Sequence, residues 1–94
     1  MPKEYKRYVA TIEIRDGDYE YYSVSQHQID QQEMDKSEDW EQFALNDILG
    51  ADLYSSDYGN WYESDSDYRL YRLYSLEEIK TPEHVELLRS YGIH

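Results

Sequence analysis

Between residues 30 and 67 the chain sets twelve carboxylates against one base, Lys36. The acids are Asp30, Glu33, Asp35, Glu38, Asp39, Glu41, Asp47, Asp52, Asp57, Glu63, Asp65 and Asp67. This segment carries −11 of the total net charge of −12, while the residues before it hold five acids and four bases and those after it four and four. Trp40, Phe43, Tyr54, Tyr58, Trp61 and Tyr62 are interleaved with the acids. Solvating acidic tails lack such aromatics, so the pattern predicts a folded anionic surface suited to a cation. Carboxylates at helical i, i+3 and i, i+4 positions stand ~5–6 Å apart, close to the spacing of successive phosphates. Asp30, Glu33, Asp35, Glu38, Asp39 and Glu41 read as one row of phosphate surrogates, and Asp57, Glu63, Asp65 and Asp67 as a second. Tyr58, Trp61 and Tyr62 read as planar groups that could stack on arginine guanidinium planes, as bases do.

Other chemistries find little support in the residues. There is no Cys, no G-x-S-x-G, no P-loop and no G-x-G-x-x-G, and the four glycines are isolated. His27, His84 and His94 are far apart in sequence and read as surface or capping residues rather than bases. Asp65-Ser66-Asp67 is a D-x-D that could take a hard cation, but the Gly and Glu positions of a Ca²⁺-binding EF-hand loop are not in register. The sequence therefore predicts a non-enzyme with no cofactor and no dedicated metal.

The elements that must position the acids are partly legible. Tyr8, Ala10, Ile12 and Ile14 alternate with polar residues at the period of a strand. Asp16-Gly17 predicts a two-residue type I′ turn and a hairpin over residues 8–24. That register places Arg15 opposite Asp18, Ile14 opposite Tyr19, Ile12 opposite Tyr21, Ala10 opposite Ser23 and Thr11 opposite Tyr22. It also sets Glu13 against Glu20, a like-charge pair expected to face water or a cation. Residues 25–36 read as a polar connection with room for a helical turn. Ser37 reads as an N-cap, followed by Trp40, Phe43, Ala44 and Ile48 at helical spacing with Leu45 and Leu49 on the flank. Gly50 is the expected stop.

Further on, Tyr58-Gly59-Asn60-Trp61 reads as a turn into a short strand. Tyr68–Tyr74 has a period of three, and its tyrosines favour a strand buried on both sides. Ser75-Leu76-Glu77-Glu78 has the form of a capping box. Thr81-Pro82 opens a last helix that Gly92 closes, with Ile93 packing back on Leu88. The expected architecture is a single α+β domain spanning 1–94. It has a small antiparallel sheet, formed by the N-terminal hairpin plus one or two later strands, packed against two α-helices on one face.

Composition sets the remaining bounds. Ninety-four residues make one domain with one core. The absence of cysteine points to a reducing compartment and a cytoplasmic protein. No apolar run suggests a signal peptide or a membrane span. Net charge −12 repels nucleic acid and anionic membranes and favours a basic partner. Twelve tyrosines against one phenylalanine suit half-buried strands and interfaces alike. A free hairpin edge would offer a route to a homodimer.

In size, charge and clustered Asp, Glu and Tyr, the chain resembles the small acidic DNA-mimic inhibitors of phages and mobile elements, the anti-CRISPR and anti-restriction class. The resemblance is one of general character and rests on no motif. It implies an inhibitor that occupies the cationic nucleic-acid groove of a host nuclease or CRISPR effector and competes with DNA. An immunity protein or antitoxin that neutralises a basic nuclease toxin fits the same physics. A third reading is an acidic domain whose charges form a solvated face. Against it, a nearly single-signed segment imposes self-repulsion that mixed charge would avoid.

Overall fold

The computed structural model describes residues 4–65 and 68–94. It is an α+β fold built on a five-stranded antiparallel sheet. In chain order the elements are β1 (Tyr5–Asp16), β2 (Tyr19–Asp30), α1 (Gln31–Lys36), α2 (Trp40–Leu49), β3 (Tyr54–Ser55), β4 (Tyr62–Glu63), β5 (Leu70–Glu78) and α3 (Pro82–Ser90). The strand order is β2-β1-β5-β4-β3. The expected hairpin is present, and among the described residues the later strands number three (two of them two residues long) and the helices three rather than two.

The hairpin is longer than its apolar alternation suggested and its turn lies one residue further on. Gly17 and Asp18 form the loop, so Asp16 pairs with Tyr19, Arg15 with Glu20, Ile14 with Tyr21 and Glu13 with Tyr22. Gly17 has φ 65°, and among the described residues no non-glycine has positive φ. A type I′ turn at Asp16-Gly17 would force Asp16 into the left-handed region, whereas a II′-like turn needs only its first residue there, and that residue is glycine. The shift removes the expected Glu13–Glu20 clash. Arg15 Nε donates to Glu20 Oε1 at 2.9 Å and Arg72 Nε to Glu13 Oε2 at 3.1 Å. The expected Ile14–Tyr19, Ile12–Tyr21 and Ala10–Ser23 pairs are each displaced by two residues, which leaves the faces of the strands unchanged.

Residues 25–30, expected to be a connection, continue β2. The expected turn of helix is the six-residue α1, anchored by buried Met34. β5 likewise runs through Ser75–Glu78, where a capping box was expected. Its period of three has a structural cause. Thr11 pairs with Ser75 and Ile12 with Leu73, so Tyr74 is the extra residue of a bulge. Tyr71 and Leu73 are buried before the bulge, and Leu76 packs on the same core after it. β5 is buried on that face only, because Tyr74 is exposed.

One face of the sheet (Tyr8, Ala10, Ile12, Ile14, Ile29, Tyr62, Tyr71 and Leu73) forms the core with Met34, Ala44, Leu45 and Leu53 from the α1–α2 side. On the opposite face Gln26 Nε2 donates to the carbonyls of Ile93, at 2.9 Å, and Val85. α3 therefore lies on the second face, not beside α2. Its ends are as expected. The Thr81 side chain caps His84 N–H, Pro82 opens the helix, and Gly92, with φ 82°, closes a Schellman motif through Ile93 N–H to Leu88 O at 3.0 Å. No residue of α3 is fully buried. Among the described residues no helix is long and apolar enough to cross a membrane.

Candidate anionic interface

The acidic residues separate into those that build the fold and those that the fold displays. Asp30 belongs to the first group. It is 8% exposed and caps α1, accepting from Gln32 N–H at 3.1 Å and Glu33 N–H at 3.3 Å. Asp39, not Ser37, caps α2: Oδ1 accepts from Gln42 N–H at 3.1 Å and Oδ2 from the Tyr62 hydroxyl at 2.7 Å. Ser37 closes α1 instead. Glu41 is half-buried and accepts a backbone N–H from Leu73 of β5. Burial raises its pKa, the Asp39 charge adds to this, and Arg72 opposes it.

The displayed group contains Glu33, Asp35, Glu38, Asp47 and Asp52 in and around the helices, and Asp57 and Asp65 around the β3–β4 end. Glu63, in β4, is half-buried. Asp67 lies outside the described residues. Asp47 and Asp52 were counted among the acids but not placed on the expected surface. Helical spacing held the signal for Asp47, which stands seven residues, nearly two turns, after Trp40 and shares its side of α2. Trp40 is half exposed rather than in the core. The buried side of α2 is Ala44 and Leu45. Gln42 and Asn46 grip the backbone of Leu53, at 2.6 and 2.8 Å, which holds the segment carrying Asp52 against the helix.

The expected stacking aromatics are mostly occupied. Trp61 is 8% exposed, with the guanidinium carbons of Arg72 and Arg15 at 4.4 and 5.1 Å from its ring centroid. The cations it stacks on are the chain's own. Tyr62 is 9% exposed and bonded to Asp39. Tyr58, at 65% exposure, is the one member of the three that faces solvent.

The charges are sorted by position in the fold. Among the described residues, the ion pairs join Lys6 to Glu4 and Glu78, Arg15 to Glu20, Arg69 to Asp16, Arg72 to Glu13 and Arg89 to Glu86. Each of those acids lies outside residues 30–67. Most acids outside the central segment are thus paired, Asp18, Glu77 and Glu83 excepted, while the displayed acids of the central segment form no ion pair among the described residues. Asp35 and Asp47 moreover stand in the last turns of α1 and α2, where the helix dipole disfavours an anion.

Tyr8, Tyr54 and Tyr62 hold their protons more tightly than usual. Burial, then the hydrogen bond to Asp39, raises the Tyr62 pKa. Burial, then the Glu78 charge, raises that of Tyr8. The bond to Asp65, at 2.8 Å, leads the causes that push Tyr54 up to about 12. A raised folded pKa gives stability that is complete below the unfolded value of 10.0 and is lost as pH climbs through the folded value. A tyrosinate absorbance titration should therefore contain a component from Tyr8, Tyr54 and Tyr62 displaced to pH above the ordinary tyrosine value of 10.0. Tyr62→Phe should flatten the loss of stability in alkali. One wave containing all twelve tyrosines would contradict this geometry.

Comparison with protein-family models, curated proteins and solved structures found no match to this chain.

Proposed function

We propose that this protein is an acidic inhibitor that binds the cationic nucleic-acid groove of a host-defence nuclease or CRISPR effector as a DNA mimic. The observation that carries the reading is the sorting of charge. Most acids outside residues 30–67 are ion-paired within the fold, whereas the displayed central acids have no ion-pair partners among the described residues.

Acids that served solubility alone would be interspersed with bases. Acids that served helix stability would avoid the last turns, where Asp35 and Asp47 stand. A groove that tracks a phosphate backbone supplies the missing cations from outside, and its own binding to DNA is dominated by the same charges. The carriers in this reading are Glu33, Asp35, Glu38, Asp47, Asp52, Asp57 and Asp65, with Tyr58 as the exposed aromatic. Asp30, Asp39 and Glu41 support them from within. Trp61 and Tyr62 serve the interior rather than the contact surface.

The reading has a kinetic signature. Attraction between a −12 inhibitor and a basic groove steers encounter, so the association rate with the target should fall by ~10-fold or more between low and physiological salt. Stopped-flow mixing of the purified pair measures this directly. A salt-independent on-rate would oppose the reading and point to an apolar contact.

A further inference from the structure

We propose that the outer edge of β2 is a self-association surface, and that two copies of this chain pair β2 to β2 antiparallel about a two-fold axis at Tyr22. β2 ends the sheet, and its twelve residues pair with β1 without a break in register. Native edge strands are usually blunted by lysine, proline, bulges or shortness. β2 has no Lys, Arg or Pro and no bulge, whereas β3, at the other edge, is two residues long.

The backbone shows which groups are free. Gln26 N–H points away from β1, because it donates to His94 O at 2.9 Å. Alternate residues of a strand point their N–H and C=O the same way. Glu20, Tyr22 and Val24 therefore direct theirs outward as well, at the exposed half of the strand, where Tyr22 is 60% and Val24 41% exposed.

Charge and register select a second copy as the occupant. Antiparallel pairing about Tyr22 sets Tyr22 against Tyr22 and Glu20 against Val24, so all three free residues are used and no glutamates meet. A register displaced toward Gln26 would compete with the His94 carbonyl. Asp30, where α1 begins, lies eight residues from Tyr22 along β2. The two α1 helices would then start on the order of 50 Å apart, several Debye lengths at physiological salt. The β3–β4 acids lie at the far edge of each sheet. Tyr74, edge-to-face with Tyr22 at 5.5 Å, would extend the aromatic contact across the axis.

The inference rests on the edge alone and is independent of the inhibitor reading. Salt separates the two, because screening of net charge should strengthen self-association and weaken binding to a cationic target. Sedimentation of the full chain across a concentration series should show a dimer of the 11.4 kDa protomer, tighter at high salt. Tyr22→Lys, which sets lysine against lysine across the axis, should raise the dimer dissociation constant at least ~10-fold with melting temperature retained. Val24→Lys, which sets lysine against Glu20, should leave the dimer intact. Amide exchange in the unaltered protein should slow at Tyr22 and Val24 as concentration rises. The proposal is overturned by a monomer up to ~1 mM, by a dimer that survives Tyr22→Lys, or by amides indifferent to concentration. Loss of the dimer in Val24→Lys would overturn the Tyr22-centred register.

Discussion

The triple substitution Asp35→Lys, Glu38→Lys and Asp47→Lys is expected to weaken binding to the target by on the order of 10²-fold, mainly through the association rate. The melting temperature should hold or rise slightly. All three acids are exposed and none is in an ion pair among the described residues. Asp35 and Asp47 oppose the dipoles of their helices, so lysine there favours the fold by ~0.3–1 kcal/mol each. Each reversal also relieves self-repulsion in a chain of net charge −12. The expected result is a protein at least as stable that has lost its partner, a combination that damage to the fold cannot produce. Binding measured by interferometry, beside a thermal melt, decides it. A triple variant that binds normally would remove the helical acids from the interface. Asp39 and Glu41 are unsuitable for this test, because one caps α2 and the other accepts Leu73 N–H.

Asp39→Ala should do the opposite, lowering stability by ~2–4 kcal/mol. Loss of a side-chain N-cap costs ~1 kcal/mol. The Tyr62 hydroxyl, on a side chain 9% exposed, is then left without its acceptor, which costs ~1–3 kcal/mol more. For a domain of this size the melting temperature would fall by roughly 10–20 °C. Adding Tyr62→Phe should recover part of the loss, because the stranded hydroxyl goes with it. Ser37→Ala, at the residue that sequence alone points to as the cap, should cost under ~0.5 kcal/mol. Equal losses for Asp39→Ala and Ser37→Ala in chemical denaturation would contradict the observed cap.

The difference between Ser37 and Asp39 shows where local reading reaches its limit. Ser37, Glu38 and Asp39 all have sequence credentials for the start of a helix. The choice of Asp39 depends on a hydroxyl from Tyr62, far along the chain. The same holds for β5. Its period of three signals a bulge, but only pairing with Thr11 and Ile12 of β1 shows that Tyr74 is the residue turned out. Turn chemistry was legible to within one residue, since Gly17 supplies the positive φ whichever pair of residues forms the loop. The ends of α3 were legible in full, because caps are written in neighbouring residues. Its placement on the second face of the sheet was not, since that depends on Gln26 reaching Val85 and Ile93.

The acidic surface was legible as a count and less so as a geometry. Charge bias survives any folding, so Glu33, Asp35, Glu38, Asp57 and Asp65 emerge exposed. Composition cannot tell which acid the backbone will need as a cap, and Asp30 and Asp39 were taken for that purpose. Aromatics are the least legible part. Trp61 was expected to wait for a partner's arginine and instead packs against Arg72 and Arg15, brought to it by β5 and β1.

The most direct test of the inhibitor account is capture from a lysate that contains nucleases and CRISPR effectors, with the tagged protein as bait at moderate salt. Bound proteins are then challenged with duplex DNA and, in parallel, with high salt. The account predicts one dominant basic nucleic-acid-binding protein, released by salt, displaced by DNA and lost with the Asp35, Glu38 and Asp47 triple variant. A dominant partner that DNA cannot displace, or capture that strengthens with salt, would contradict it.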